Sequence, residues 1–162
     1  MLMLLIRFLD ACLETGVRIG SLSIWLISGI VFIDVTLRFF GAPTLWALEV
    51  STYLMIGAAV MASGKAVADG SHFSVRLLPD ALTPLRRRVL DFVIQAAGFG
   101  LLCFICMGFF DLLMLSIDLK MRSPTLLQVP LWIPQGVTFA GFVIMALGFV
   151  RKVIAVFESP AE

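Results

Sequence analysis

Charge disappears from this chain in four places: residues 19 to 33, 50 to 64, 92 to 110 and 123 to 150 contain no Asp, Glu, Lys or Arg. Carried outward to the nearest polar or turn residues, these stretches predict four spans near 18–38, 45–68, 88–115 and 130–150. Each is close to the ~20 residues a helix needs to cross hydrocarbon. Ahead of the first span, Arg7, Asp10, Glu14 and Arg18 recur at intervals of three and four, while Leu2, Ile6, Leu9, Leu13 and Val17 take another face. This amphipathic segment, 3–17, predicts a helix lying in the membrane interface; the competing reading is a long first span whose first turns stand in water.

Turn chemistry separates the spans. Asp69-Gly70 and Pro79-Asp80 mark a connection between spans two and three, and Thr83-Pro84 reads as an N-cap followed by proline at the first helical position. Pro124, Pro130 and Pro134 interrupt regular helix ahead of span four, with Trp132 suited to the membrane interface.

Composition agrees with the pattern. Of 162 residues, 60% are hydrophobic and 14% charged, and mean hydropathy is +1.06, whereas soluble domains carry about 25% charged residues. The expectation is an all-α membrane protein forming one integral membrane domain over residues 1–162, in contact with membrane lipid. A net charge of +1 leaves no footprint for nucleic acid. Nine of the twelve basic residues, among them Arg86, Arg87, Arg88, Arg151 and Lys152, fall on one side of the predicted spans, against Arg38, Lys120 and Arg122 on the other. The positive-inside rule therefore predicts both termini in the cytoplasm. No basic residue precedes Arg7 and no small-residue cleavage pattern follows, which argues against a removable signal peptide.

The charges that flank the spans carry chemistry of their own. Glu49 and Lys65 stand sixteen residues apart, about 24 Å along a helix, so both reach the edges of a core roughly 30 Å thick. Lys65 snorkels on its long stem; Glu49, with a shorter reach, needs a donor or cation, and Arg38 is one candidate. Asp34 and Arg38, one turn apart, form a local neutralising pair. Asp91 and Asp111 bracket span three, leaving the middle of the membrane without the ionisable or broken-helix features expected of a transport path.

Other patterns have plainer explanations. Cys103 and Cys106 have the spacing of a redox dithiol, but the bilayer interior disfavours a thiolate, so they read as packing residues. Cys12, Cys103 and Cys106 are too few for a disulfide framework. His72, the single histidine, lacks partners for a metal site and reads as a loop residue; no cofactor or metal is implied. Ala58, Ala62 and Ala66, with Ala59 and Ser63, give span two a small-residue face on which another helix packs, from this chain or a partner.

The ordered set Arg38-Phe39-Phe40-Gly41, Trp46, Glu49, Tyr53 and Gly70-Ser71-His72-Phe73-Ser74-Val75, followed by Ser123-Pro124 and Val129-Pro130-Leu131-Trp132-Ile133-Pro134, resembles the small permease subunit of tripartite ATP-independent periplasmic (TRAP) transporters. Leu48 departs from the polar or acidic residue the family often carries beside Glu49. The resemblance implies a non-catalytic subunit of the bacterial inner membrane. It implies as partners a large permease subunit, for which the chain is a scaffold, and a periplasmic substrate-binding protein. It also implies sodium-coupled uptake of organic anions such as carboxylates or sialic acid. Arg38, Trp46, Glu49, Tyr53, Ala58, Ala62 and His72 are then the candidate anchoring or interface residues. A self-assembling ion-coupled carrier using Glu49 and a thiol oxidoreductase using Cys103 and Cys106 are the competing functions.

Overall fold

The computed structural model describes residues 2–70 and 84–158. They form four helices: α1 (Leu2–Phe39), α2 (Ala47–Ala68), α3 (Pro84–Asp118) and α4 (Trp132–Glu158). All four are long and apolar enough to cross a membrane. Among the described residues the only strand-like pairing is an isolated bridge between Arg122 and Pro130. α3 begins at Pro84, where the missing N–H costs no helical hydrogen bond. α1 ends in a left-handed turn at Gly41, φ +77°, with Gly41 N–H donating to the Arg38 carbonyl at 3.0 Å and Ala42 N–H to that of Leu37 at 2.9 Å.

The amphipathic start of the chain is not a separate interfacial helix. Residues 2–39 are one uninterrupted helix, about 57 Å long. The apolar face that suggested a membrane-surface segment is used for packing: Leu9 and Leu13 are buried, and Asp10 accepts from Arg151 Nε of α4 at 2.9 Å.

Lipid gives helices no hydrophobic reason to associate, so contact depends on backbones approaching closely. Here that approach is made by glycine. Gly16 and Gly20 of α1 lie against the carbonyls of Met61 and Ala58 on α2. A Cβ on Gly20 would stand 3.4 Å from the Ala62 methyl, so the Ala58/Ala62 face is occupied by α1 of the same chain. On its other side α2 presents Gly57 and Gly64 to Val137 and Ile144 of α4, while α4 returns Gly141 to Val60 and Gly148 to the Gly64 backbone. Gly16 also touches Ile144, closing α1, α2 and α4 into a three-helix unit.

α3 is attached differently. It packs on α4 and has no substantial contact with α1. Three ring pairs join the two helices: Phe99 with Phe149 at 6.1 Å, Phe109 with Phe142 at 5.2 Å and Phe110 with Phe139 at 5.8 Å. Leu102 and Phe149 meet Val67 in a small core. Only 11% of the span in α3 is buried, against 33% in α2; α3 is a flanking helix on an otherwise glycine-knit unit.

Five hydroxyls inside the spans are satisfied by their own helix. Ser23, Ser28, Thr36, Thr52 and Thr138 each donate to the carbonyl four residues earlier, which removes the cost of an unpaired donor in hydrocarbon.

A methyl group at Gly64 would stand 2.6 Å from the Ile144 carbonyl oxygen and 2.8 Å from its side chain, whereas one at Gly29 would meet nothing within 4 Å. Gly64→Ala is therefore expected to lower stability by about 1–3 kcal/mol, the usual cost of overpacking, and Gly29→Ala to leave it unchanged. Thermal unfolding of both variants in detergent checks this; equal melting temperatures would mean that α2 and α4 do not meet at Gly64.

Candidate functional site

The end of the molecule where α1 finishes and α2 begins carries two carboxylates, each clamped to a neighbouring loop. Asp34 is 8% exposed. Its Oδ2 accepts from Arg38 Nε at 2.8 Å and Nη2 at 2.7 Å, and its Oδ1 accepts from the Thr44 N–H at 3.1 Å and from the Thr44 hydroxyl. The helix spacing puts Arg38 one turn beyond Asp34, and the Gly41 turn carries Thr44 back over it. The carboxylate thus fixes the α1–α2 connection.

Glu49, in the first turn of α2, has different partners. Tyr53, one turn on, donates its hydroxyl to Glu49 Oε1 at 2.7 Å, and the Thr125 hydroxyl donates to Oε2. Arg38, suggested by the sequence as the partner of Glu49, is engaged by Asp34. The local i,i+4 geometry delivers a two-nitrogen contact to Asp34 without any loop having to bring Glu49 near.

Thr125 reaches Glu49 because the α3–α4 connection folds into a hairpin. α3 ends at Asp118, and Lys120 turns left-handed at φ 49°, with Met121 N–H donating to the Ser116 carbonyl at 3.0 Å. Two cross-connections then close the loop, Ser123 N–H to Val129 O at 2.9 Å and Leu131 N–H to Met121 O at 3.0 Å. Thr125 sits in the tip beside Ser123, their hydroxyl oxygens 2.8 Å apart. The result ties the start of α2 to the turn between α3 and α4.

The remaining sequence candidates are dispersed. Trp46 is the residue preceding α2, half-exposed at 40%. Ala58 and Ala62 lie on the α1 face described above, and Lys65 pairs with Asp69 at 3.5 Å. His72, with the rest of the Ser71–Val75 stretch, lies outside the described residues. Cys106 packs against the small core while Cys103 is exposed, both as free thiols. Among the described residues no group of three or more His, Cys, Asp or Glu side chains is arranged to hold a metal.

Thr44 and Thr125 escaped the sequence reading, and Ser123 entered it only within the Ser123-Pro124 motif. The signal available was chemical rather than positional: a short carboxylate near a membrane boundary needs donors, and the hydroxyls of Ser123-Pro124-Thr125 were the polar groups of the nearest predicted loop.

The family model described as the DctQ component of tripartite ATP-independent periplasmic transporters matches residues 27–159. No curated protein matches the chain. The matched region contains both clamped carboxylates, the hairpin and all of α2, α3 and α4.

Removing the donor at the hairpin tip tests the clamp. Thr125→Val and Glu49→Leu are each expected to raise the rate of tryptic cleavage after Lys120 and Arg122 by about tenfold, because the tip loses a charge-assisted tie. Asp34→Asn should leave that rate unchanged while loosening the α1–α2 turn. Identical digestion of all three variants would show that Thr125 does not restrain the hairpin.

Proposed function

The chain belongs to the small-subunit family, the DctQ component, of tripartite ATP-independent periplasmic transporters, and from that premise we propose that it braces the large permease subunit of a sodium-coupled importer. In this reading a periplasmic binding protein delivers an organic anion, a carboxylate or sialic acid, to the large subunit, which moves it. The small subunit is multi-pass in a bacterial inner membrane, with both termini and the Arg86–Arg88 cluster in the cytoplasm, as the distribution of basic residues supports. It carries no catalytic residue.

The observation that carries the proposal is the family match over 27–159. The geometry supports a bracing role. A helix unit joined backbone to backbone is stiff, and its polar ties sit at opposite ends: the Asp10–Arg151 ion pair at one, the Asp34–Arg38 ion pair and the Thr125–Glu49 hydrogen bond at the other. For Glu49 to work as a carrier site it would have to give up both Tyr53 and Thr125 in each cycle.

The tagged chain, co-expressed with the large permease encoded beside it and extracted in detergent, is expected to co-elute with that permease. Reconstituted alone in vesicles bearing a sodium gradient, it should take up neither radiolabelled succinate nor N-acetylneuraminate. Arg38→Ala and Glu49→Ala are each expected to reduce the recovered permease several-fold by loosening the helix ends. Uptake by the chain alone would overturn the proposal, and full recovery with both variants would remove the end-anchoring part of it.

A further inference from the structure

The turn that leaves α3 builds a small cleft of its own at the Glu49 end of the molecule. Ile117 in the last turn of α3, Lys120, Met121 and Arg122 of the turn, and Pro130 and Trp132 at the approach to α4 line about 200 Å³. Four of the six are apolar and two are cationic. Backbone holds the walls: the Arg122–Pro130 bridge, Leu131 N–H donating to the Met121 carbonyl at 3.0 Å, and Met121 N–H donating to that of Ser116 at 3.0 Å. The cleft is therefore a product of this chain alone, whatever packs on the outer faces of α1 and α3.

Its two cations have no counter-charge. Among the described residues neither Lys120 nor Arg122 makes an ion pair; the ion pairs there belong to Arg18, Arg38, Lys65 and Arg151. Nearby carboxylates are committed elsewhere, Asp34 to Arg38 and Thr44, Glu49 to Tyr53 and Thr125, while Asp118 is exposed and pairs with neither cation. Lys120 also holds its place against backbone preference. Its φ of 49° is left-handed, a conformation that glycine takes freely and a residue with a Cβ only under strain. Glycine would close the same turn without bringing a charge.

The cleft lies where apolar helix gives way to loop. The apolar stretch of α3 ends at Asp118 and that of α4 starts at Trp132, so Ile117 and Trp132 are the last apolar groups on their helices and the cations stand just beyond them. Tryptophan at a span end sits at headgroup level, and Lys or Arg beyond it reaches the phosphate layer. A free inorganic anion would use the cations and leave the apolar walls wet. An amphiphile uses both: its oxyanion meets the Lys120 ammonium and the Arg122 guanidinium, whose fork suits phosphate oxygens, and its carbon skeleton meets the apolar walls. The volume falls below the roughly 300–1,000 Å³ of pockets that bury a whole ligand. It suits the head of a lipid whose chains stay in the bilayer.

We propose that this cleft binds the phosphate of an anionic phospholipid. Lys120 and Arg122 hold the phosphate, and the glycerol lies against Pro130 and Trp132. The cations select by net charge: phosphatidylglycerol presents its phosphate alone, whereas phosphatidylcholine also brings a trimethylammonium group that they repel. The bound lipid spans the end of α3 and the start of α4, the helix pair that is joined by rings rather than by backbone contact.

Tryptophan fluorescence of the full chain tests this. With Trp25→Phe and Trp46→Phe, Trp132 is the sole tryptophan and reports the lipid beside it. In phosphatidylcholine vesicles its quenching by phosphatidylglycerol brominated on the acyl chains is compared with that by brominated phosphatidylcholine. Phosphatidylglycerol is expected to occupy the cleft about tenfold more strongly, with Lys120→Gly and Arg122→Gln each cutting the preference about fivefold and together abolishing it. Lys120→Gly is expected to keep or raise the melting temperature in lipid-free detergent, because glycine suits the turn; a lower melting temperature in both variants would assign the lost preference to the fold and end the proposal. Equal quenching by the two lipids, or a preference that survives the double substitution, would also end it. Sodium phosphate, compared with sodium chloride at matched ionic strength, is expected to leave the quenching unchanged; displacement at millimolar phosphate would make this a free-anion site instead. In the complex recovered with the large permease, native mass spectrometry is expected to find more phosphatidylglycerol on the wild type than on the double variant. Equal retention would mean that the partner fills the cleft, which sinks the lipid site and leaves the bracing role standing.

Discussion

The contact between Gly64 of α2 and Gly148 of α4 is the constraint from which the rest of the structure follows. In lipid, a helix pair gains from dispersion and from whatever polar ties it makes, and dispersion falls steeply with separation. Two glycines facing each other let the backbones touch. Gly57 and Gly141, seven residues before Gly64 and Gly148 respectively, repeat the approach one heptad earlier. That spacing sets the register of α2 on α4, and Gly16 and Gly20 then set α1 on both. α3, lacking such a contact, is held by phenylalanine rings that tolerate sliding better than backbone contact does. One helix pair thus defines a stiff unit, and the fourth helix is a flank.

What the sequence showed and what it hid divide along the same line. Span positions were legible because excluding charge from hydrocarbon is a property of each residue alone; α2 begins two residues from where it was expected, and α3 starts at the proline that marked it. Pairings were not legible, because packing is a property of two surfaces. The Ala58/Ala62 face was visible as a small-residue face, but spacing could not say that Gly20 covers it. Gly57, Gly64, Gly141 and Gly148 attracted no notice, since a glycine in a membrane helix is informative only once its opposite number is known. The polar stripe through Arg7, Asp10 and Glu14 was read as a sign of a helix lying on lipid, yet the same periodicity arises when the opposite face, Leu9 and Leu13, packs on neighbouring helices. Periodicity reports that a face is buried and not what buries it.

The carboxylates show a second limit. Asp34 with Arg38 is a pair within one helix, and Glu49 with Tyr53 is another; both follow from i,i+4 geometry. The longer-range halves of the same clamps, Thr44 and Thr125, depend on how two loops fold. The Gly41 turn is signalled by its residue type, but the hairpin is not, because its left-handed positions are Lys120 and Gln128 rather than glycines. A turn that uses residues without the usual conformational licence is invisible to rules built on glycine and asparagine.

The placement of these clamps bears on what a molecule of this shape is able to do. A carrier that exposes a site alternately to two sides must loosen one end while the other closes, which requires helices that slide or rock past each other. In this chain the central helices meet through backbone atoms, where a shift of an ångström produces collision rather than a new packing. Charged ties stand at both ends, with Asp10–Arg151 opposing the Asp34 and Glu49 clamps. Rocking α2 against α4 would break the glycine contacts and at least one set of ties at once. An assembly that moves needs some part that does not, and under the proposed function a three-helix unit locked along its length and at both ends is that fixed reference.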